Sequence, residues 1–284
     1  LMLRGIQFMF KIIVLIKQVP DIKKVKFDRE RGVIDRKSAP NEINPFDLNA
    51  LEAAIRIKEN NNIKDEVKIC ALSMGPESAE KSLREAVARG ADEAVLLTDK
   101  TFAASDTWAT SLVLSKAIEI LGDYSLIIAG EKTVDGDTGQ VGPEIAELLD
   151  IPQACYVNEI KNISTDDIEI INEIFQGAYK KKLSFPCLLT VTKDINDPRL
   201  PSIKDKMKAR KIDIKRLNYD SFKDFYKEDE LGLKGSPTKI KNIEVAAAVT
   251  REGKQWKDNF EEAIEEINNA LIDNKIIGAG SYGK

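Results

Sequence analysis

The chain has 284 residues with 43% hydrophobic content, enough for one large α/β domain with an appendage built around a real core. Lys and Arg number 43 against 47 Asp and Glu, a net charge of −4, so no general basic field exists to hold nucleic acid or an anionic membrane surface. With no histidine, and three cysteines (Cys70, Cys155, Cys187) that show neither metal-ligand spacing nor a disulfide framework, zinc sites and hydrolytic triads fall away and no metal ligand or catalytic acid or base is assigned.

The cysteines sit in apolar, strand-like contexts, which points to a reducing compartment. The longest apolar runs, such as IIVLI (12–16), are too short to span a bilayer, and LMLRGIQFM (1–9) has no small-residue cleavage site. No integral membrane segment is expected, the expected location is cytoplasmic, and Met9 is a plausible start that leaves residues 1–8 dispensable.

In chain order, KIIVLI (11–16) reads as a buried strand followed by the polar turn KQVPD. Residues 25–40 alternate apolar and polar about Arg31-Gly32, the pattern of a small hairpin. NPFDLNALEAAIRIKE (44–59) opens a helix: Asn44 suits the N-cap, Pro45 the first turn, and Asp47 the positive end of the helix dipole. Then come a strand at 67–72, the loop SMGPE, a helix to Arg89 stopped by Gly90, a strand at 94–98, a helix at 107–121 between Asp106 and Gly122, and a strand leading to Gly130. Strands alternating with helices imply a mainly parallel sheet covered on both faces. After residue 155 the segments YVNEIKNI, DIEIINEI and PCLLTVT predict an antiparallel extension. Residues 218–242 mix charges with Gly232, Gly235 and Pro237 and read as a linker, and 258–272 has the spacing of an amphipathic helix.

In such a sheet, ligands bind where strands end and helices begin. Three corners stand out: LIKQVPD (15–21), LSMGPE (72–77) and AGEKTVDGDTGQVGPE (129–144). The third suits a diphosphate. Gly136, Gly139 and Gly142 would allow positive φ and close backbone approach, Thr138 and Gln140 can donate hydrogen bonds, and Pro143 fits the first helical position. Asp135 and Asp137 argue against a bare phosphate cage and suit turn capping or ribose hydroxyls. The loop is neither GxGxxG nor a Walker loop, so from its own residues it is as readily a plain turn as a ligand site.

Taken together and in order, KIIVLIKQVPD, NEINPFDLNALEAA, LSMGPESAEKSLREAVARGADEAVLL, VDGDTGQVGPEIAELL and DPRLPSIKDKMKARK resemble the beta subunit of electron-transfer flavoprotein over about residues 9–275. The resemblance implies a Rossmann-like, adenine-nucleotide-binding α/β domain over 9–217 and a linker plus C-terminal arm over 218–284, the arm packing on an alpha subunit that carries FAD. It places the nucleotide against the backbone of Leu15, Ile16 and Lys17, against Asn44, Met74, Gly75 and Gly130, and along Thr133, Val134, Asp135, Asp137, Thr138, Gly139, Gln140, Val141 and Gly142. Ordinary members hold AMP there, often with a bulkier, asparagine-bearing loop; electron-bifurcating members hold a second FAD. VDGDTGQVGP, with Gly136 and Gly139, is similar to the bifurcating type.

That type implies a redox-active electron-transfer subunit: NADH gives a hydride to the beta-bound flavin. One electron then goes to ferredoxin or flavodoxin and the other, through the alpha-subunit FAD, to an acyl-CoA dehydrogenase or similar oxidoreductase. The resemblance also makes Leu200, with Pro201, the tip of a loop that enters a pocket on the partner dehydrogenase; on residues alone, the expectation is that Leu200 packs under its own loop. A protein holding AMP as structural glue is the alternative. An ATP-using ligase of related fold would need a phosphate loop such as SGGxDS where this chain has KQVPD.

Overall fold

A computed structural model of the chain describes residues 9–21, 26–28, 33–35, 40–60, 63, 66–175, 177–239, 256–257 and 259–277. It falls into two compact units, residues 1–243 and 244–284.

The first unit runs β1 (Met9–Leu15), β2 (Gln18–Pro20), β3 (Lys26–Asp28), β4 (Val33–Asp35), β5 (Asn41–Ile43), α1 (Pro45–Glu59), β6 (Glu66–Met74), α2 (Glu80–Arg89), β7 (Glu93–Leu97), α3 (Thr107–Leu121), β8 (Leu126–Gly130) and α4 (Val141–Leu148). It continues with β9 (Gln153–Ile163), β10 (Asp167–Ile174), β11 (Gly177–Ser184), β12 (Cys187–Val191), α5 (Ile203–Ala209), β13 (Lys215–Leu217) and α6 (Gly232–Gly235). The main sheet has nine strands in the order β11-β10-β9-β12-β8-β1-β6-β7-β13. From β9 through β13 every neighbouring pair is parallel, and β10 and β11 add antiparallel strands beyond β9.

Successive residues of β1 feed opposite faces, as the two-residue period of a strand requires. Phe10, Ile12 and Val14 join the core under α1 and α2, while Ile13 and Leu15 join the core under α3 and α4. Helices therefore cover both faces, as the spacing of elements predicts. The buried thiols of Cys70 and Cys187 are pushed up to about 12 by desolvation, so neither is a reactive thiolate at neutral pH.

Three expectations need correction. PCLLTVT does not belong to the antiparallel extension: β12 inserts parallel between β8 and β9, and all five of its residues are buried, which explains its unbroken apolar run. The outer strand β11 was not expected at all, because its edge position is filled by Lys180, Lys181 and Lys182, residues that suit an exposed edge and disguise a strand. The linker expected from 218 is folded over much of its length. Phe222 and Leu231 are buried in the core under α3, the Phe222 ring meets Phe102 edge-on at 5.4 Å, and the Ser236 hydroxyl accepts from the Asp106 N–H at 2.9 Å. Two apolar anchors spaced among charges suffice to dock a segment that composition alone makes look solvated.

In the second unit, α7 (Phe260–Asp273) begins at Asn259, whose side chain accepts from the Glu262 N–H, and Phe260, Ile264, Ile267 and Ile272 are exposed along it. No helix among the described residues is long and apolar enough to cross a membrane.

Candidate functional site

After β1 the chain builds β6 and β7 on one side of it, then returns to build β8 and β12 on the other. The C-terminal ends of β1 and β8 are therefore a switch point, where loops diverge and leave a crevice. The residues expected to meet a nucleotide converge here, and hydrogen bonds show how.

Asp47, in the first turn of α1 and 5% exposed, ties the crevice floor together. Its carboxylate accepts from the Lys17 N–H at 2.7 Å, the Gly130 N–H at 3.3 Å and the Asn44 side-chain amide at 2.9 Å. Burial pushes its pKa up to about 7, against the pull of these donors toward the charged form. Asn44 sits at the N-cap position but its side chain does not cap the helix. It donates to the Lys132 carbonyl at 2.9 Å and accepts from the Val134 N–H at 3.2 Å, so it holds the glycine-rich loop onto the start of α1. The Lys17 ammonium closes the far side on Asp135 at 2.8 Å; burial raises the Asp135 pKa, but this ion pair outweighs it and leaves the carboxyl below its usual value. Lys132 pairs with Asp137 at 2.8 Å.

Leu15 and Ile16 have buried side chains, so only their main chain can reach a ligand, and the Ile16 N–H is already given to the Leu72 carbonyl. Met74 and Gly75 lie at the end of neighbouring β6, and the Gly75 N–H goes to Leu97. The outer loop is open. Thr138 and Gln140 are exposed, and the amides of Thr138, Gly139 and Gln140 make no hydrogen bond among the described residues, just before the first turn of α4. Gln140 occupies the N-cap position, so Pro143 falls in the first turn but not at its first residue.

The three loop glycines have three different reasons. Only Gly139 has positive φ, +65°, where a Cβ would also sit 3.1 Å from the Glu131 carbonyl. Gly136 would place a Cβ 3.2 Å from the Thr133 hydroxyl. Gly142 lies buried in the first turn of α4 with ordinary φ, and a Cβ there would collide with Thr190 Cγ2 of β12. Its side-chain-free surface is used by helix–strand packing. Gly130 is likewise a packing glycine, since its Cβ would lie 2.5 Å from Asp47 Oδ1.

Leu200 and Pro201 lie elsewhere. Arg199 pairs with Glu52 at 2.8 Å and Glu59 at 2.6 Å, five and twelve residues along α1 from Asp47, roughly 8–18 Å by helix rise. Clamped this way, the loop presents Leu200 at 85% exposure, so it does not pack under its own loop. A cleft of about 280 Å³ between the C-terminal half of α1 and β9 is also remote from the crevice. Sequence reasoning missed the organising role of Asp47, the Thr190 contact, and Tyr156 of β9, whose hydroxyl lies 3.9 Å from the Cβ position of Gly139. Asp47 was legible only as a first-turn acid; the other two depend on strand pairing that no local pattern reveals.

The crevice offers open backbone amides beside a helix start and fixed charges of both signs, and the described residues include no group of side chains that could hold a metal ion. Residues 31–221 match the electron transfer flavoprotein domain. The chain is 44% identical to the electron transfer flavoprotein subunit beta of Thermoanaerobacterium thermosaccharolyticum, covering 94% of this chain and 99% of that one. It is 39% identical to the caffeyl-CoA reductase–Etf complex subunit CarD of Acetobacterium woodii (81% and 86% covered), and 38% identical to the acryloyl-CoA reductase electron transfer subunit gamma of Anaerotignum propionicum (81% and 86%). Sheet, domain match and matched length agree: the chain belongs to the electron transfer flavoprotein family, among its beta subunits.

Proposed function

We propose that this chain holds FAD in the crevice at the ends of β1 and β8 and works, with an FAD-bearing alpha subunit, as the bifurcating half of an electron-transfer complex. The observation that carries the reading is the open outer loop: three amides, at Thr138, Gly139 and Gln140, that make no hydrogen bond among the described residues, with no side chain on Gly136 or Gly139 to fill the space a diphosphate and its second half would need. When bound, FAD supplies hydride acceptance from NADH and release of single electrons, one toward ferredoxin or flavodoxin and one toward the alpha-subunit FAD. The chain's own part is to bind and orient. The amides of 138–140 and the first turn of α4 would hold the diphosphate, and the main chain at Leu15 to Lys17 and at Met74-Gly75 would line the floor. The Lys17–Asp135 and Lys132–Asp137 pairs keep both loops at fixed spacing without leaving a bare charge against the ligand.

Two relatives are named as subunits of CoA-thioester reductase systems, which supports an acyl-CoA dehydrogenase or similar oxidoreductase as the final partner. Leu200 and Pro201, on a loop clamped by Arg199, are the proposed contact with it, and the apolar residues of α7 the proposed contact with the alpha subunit. Purifying the complex with its alpha subunit and separating released nucleotides by chromatography tests the reading: two FAD per heterodimer are expected. One FAD with one AMP would refute bifurcation and leave a structural nucleotide in the crevice. Leu200→Ala should leave folding intact and slow electron delivery to the dehydrogenase; an unchanged rate would remove Leu200 from the interface.

A further inference from the structure

Tyr156 is an oddity of the main sheet. It lies within β9 yet has φ of +57°, a region that a bulky side chain rarely enters. The cause is a bulge. Leu189 pairs with Ala154 and Val191 with Val157, so Cys155 and Tyr156 together stand opposite Thr190 alone. Two buried polar side chains fix it: the Thr190 hydroxyl accepts from the Tyr156 N–H at 3.2 Å, and the Asn172 side-chain amide donates to the Cys155 carbonyl at 3.0 Å.

Bulges commonly re-aim a side chain beside a functional site, and unfavourable backbone persists where its surroundings enforce it. Here the bulge leaves the Tyr156 ring 44% exposed, with its hydroxyl 3.9 Å from the Cβ position of Gly139, the one loop glycine with positive φ. Thr190 serves both structures, since its hydroxyl fixes the bulge while its methyl group fills the space beside Gly142. The bulge and the nucleotide loop are therefore packed as one piece.

We propose that Tyr156 is a nucleotide-binding residue. Its ring walls the outer side of the glycine loop, and its phenolic O–H donates to a diphosphate oxygen held by the amides of Thr138 and Gly139. The proposal rests on the crevice being the nucleotide site.

The test uses the full-length chain, assembled with its alpha subunit, stripped of nucleotide and titrated with FAD; the alpha-chain site serves as an internal reference. Tyr156→Phe removes only the hydroxyl, and affinity at the beta site should fall roughly tenfold, the usual worth of a hydrogen bond to a charged group, with Tm unchanged. Tyr156→Asn, a residue that tolerates positive φ, should weaken the same site at least as much while Tm holds or rises. A merely structural tyrosine would show the opposite: a lower Tm in Tyr156→Asn and affinity within twofold of the parent in Tyr156→Phe. That result overturns the assignment of Tyr156 alone, provided Gly139→Asn still weakens binding. A parent complex that takes up neither FAD nor AMP at the beta site overturns the crevice reading and this inference with it, and one that takes up AMP but not FAD there overturns the diphosphate contact of Tyr156.

Discussion

Gly142→Ala separates packing from ligand binding within a single loop. The added Cβ would meet Thr190 Cγ2 at less than contact distance, in a buried position where neither α4 nor β12 has room to move away. Overpacking of this kind costs about 1–3 kcal/mol, and the lost flexibility of the unfolded chain returns about 0.4–1 kcal/mol, for a net loss of about 1–2 kcal/mol. For a unit of this size that is a fall in Tm of roughly 2–8 °C by differential scanning calorimetry. Thr190→Ser deletes the offending methyl and keeps the hydroxyl that accepts from the Tyr156 N–H, so the double variant should recover most of the loss. Gly139→Asn is the contrast: asparagine tolerates φ of +65°, so Tm should change little while FAD binding weakens, because the side chain enters the open rim. A Gly142→Ala protein as stable as the parent, or one that Thr190→Ser fails to rescue, would refute the packing argument.

Three further outcomes are expected. Asp47 has a folded-state pKa raised to about 7 against 3.8, so between these values the folded chain binds a proton that the unfolded chain has released. Stability should therefore decline as pH rises from about 4 to 7, a slope that urea titrations should find flattened in Asp47→Asn. Burial raises the Glu52 pKa, but hydrogen bonds from Arg199 and Arg56 outweigh it and leave the carboxyl below its usual 4.5. Its contribution is thus complete above that value and lost as pH falls through the lower folded pKa; Glu52→Gln should cost about 2 kcal/mol at pH 7, less than a fully buried pair because Arg199 is partly exposed, and much less under acid. Removing residues 244–284 should leave the Tm of the first unit and nucleotide binding at the proposed site unchanged and impair assembly with the alpha subunit, as read by co-purification.

The parallel core was legible because its information is local: apolar runs of strand length, Asp106 before a helix, Gly90 and Gly122 after helices. Asn44 and Pro45 marked the start of α1 correctly, yet the Asn44 side chain reaches across 88 residues to Lys132 instead of capping. The sequence pattern shows a residue type that suits a helix start; it does not show a competing donor, here the Val134 N–H, brought to the Asn44 side-chain oxygen by the sheet. The glycine loop behaved similarly. Its position and openness were readable, but positive φ held at Gly139 alone and failed at Gly136 and at Gly142, where the constraint is Thr190, a residue 48 positions later. The bulge at Tyr156 belongs to the same class, since two residues opposite one becomes visible only with the partner strand in place.

These long-range constraints divide the site into a floor and a rim. Asp47, Gly130 and Gly142 are each half of a buried contact, so changing one should be felt first as lost stability. Gly136, Thr138 and Gln140 are exposed, so changes there should reach the proposed ligand at less cost to the fold. On the proposed reading, a cradle built this way would alter which nucleotide it admits through rim residues alone, with the switch point, the Asn44 tether and the Lys17–Asp135 pair left in place. Rim chemistry at 136–140, together with the proposed Tyr156 wall, is on that reading where the difference between holding AMP and holding FAD would reside. Side chains added at Gly136 and Gly139 together should therefore shift the bound nucleotide toward the smaller ligand before they lower Tm, whereas the same substitutions at Gly130 and Gly142 should lower Tm first.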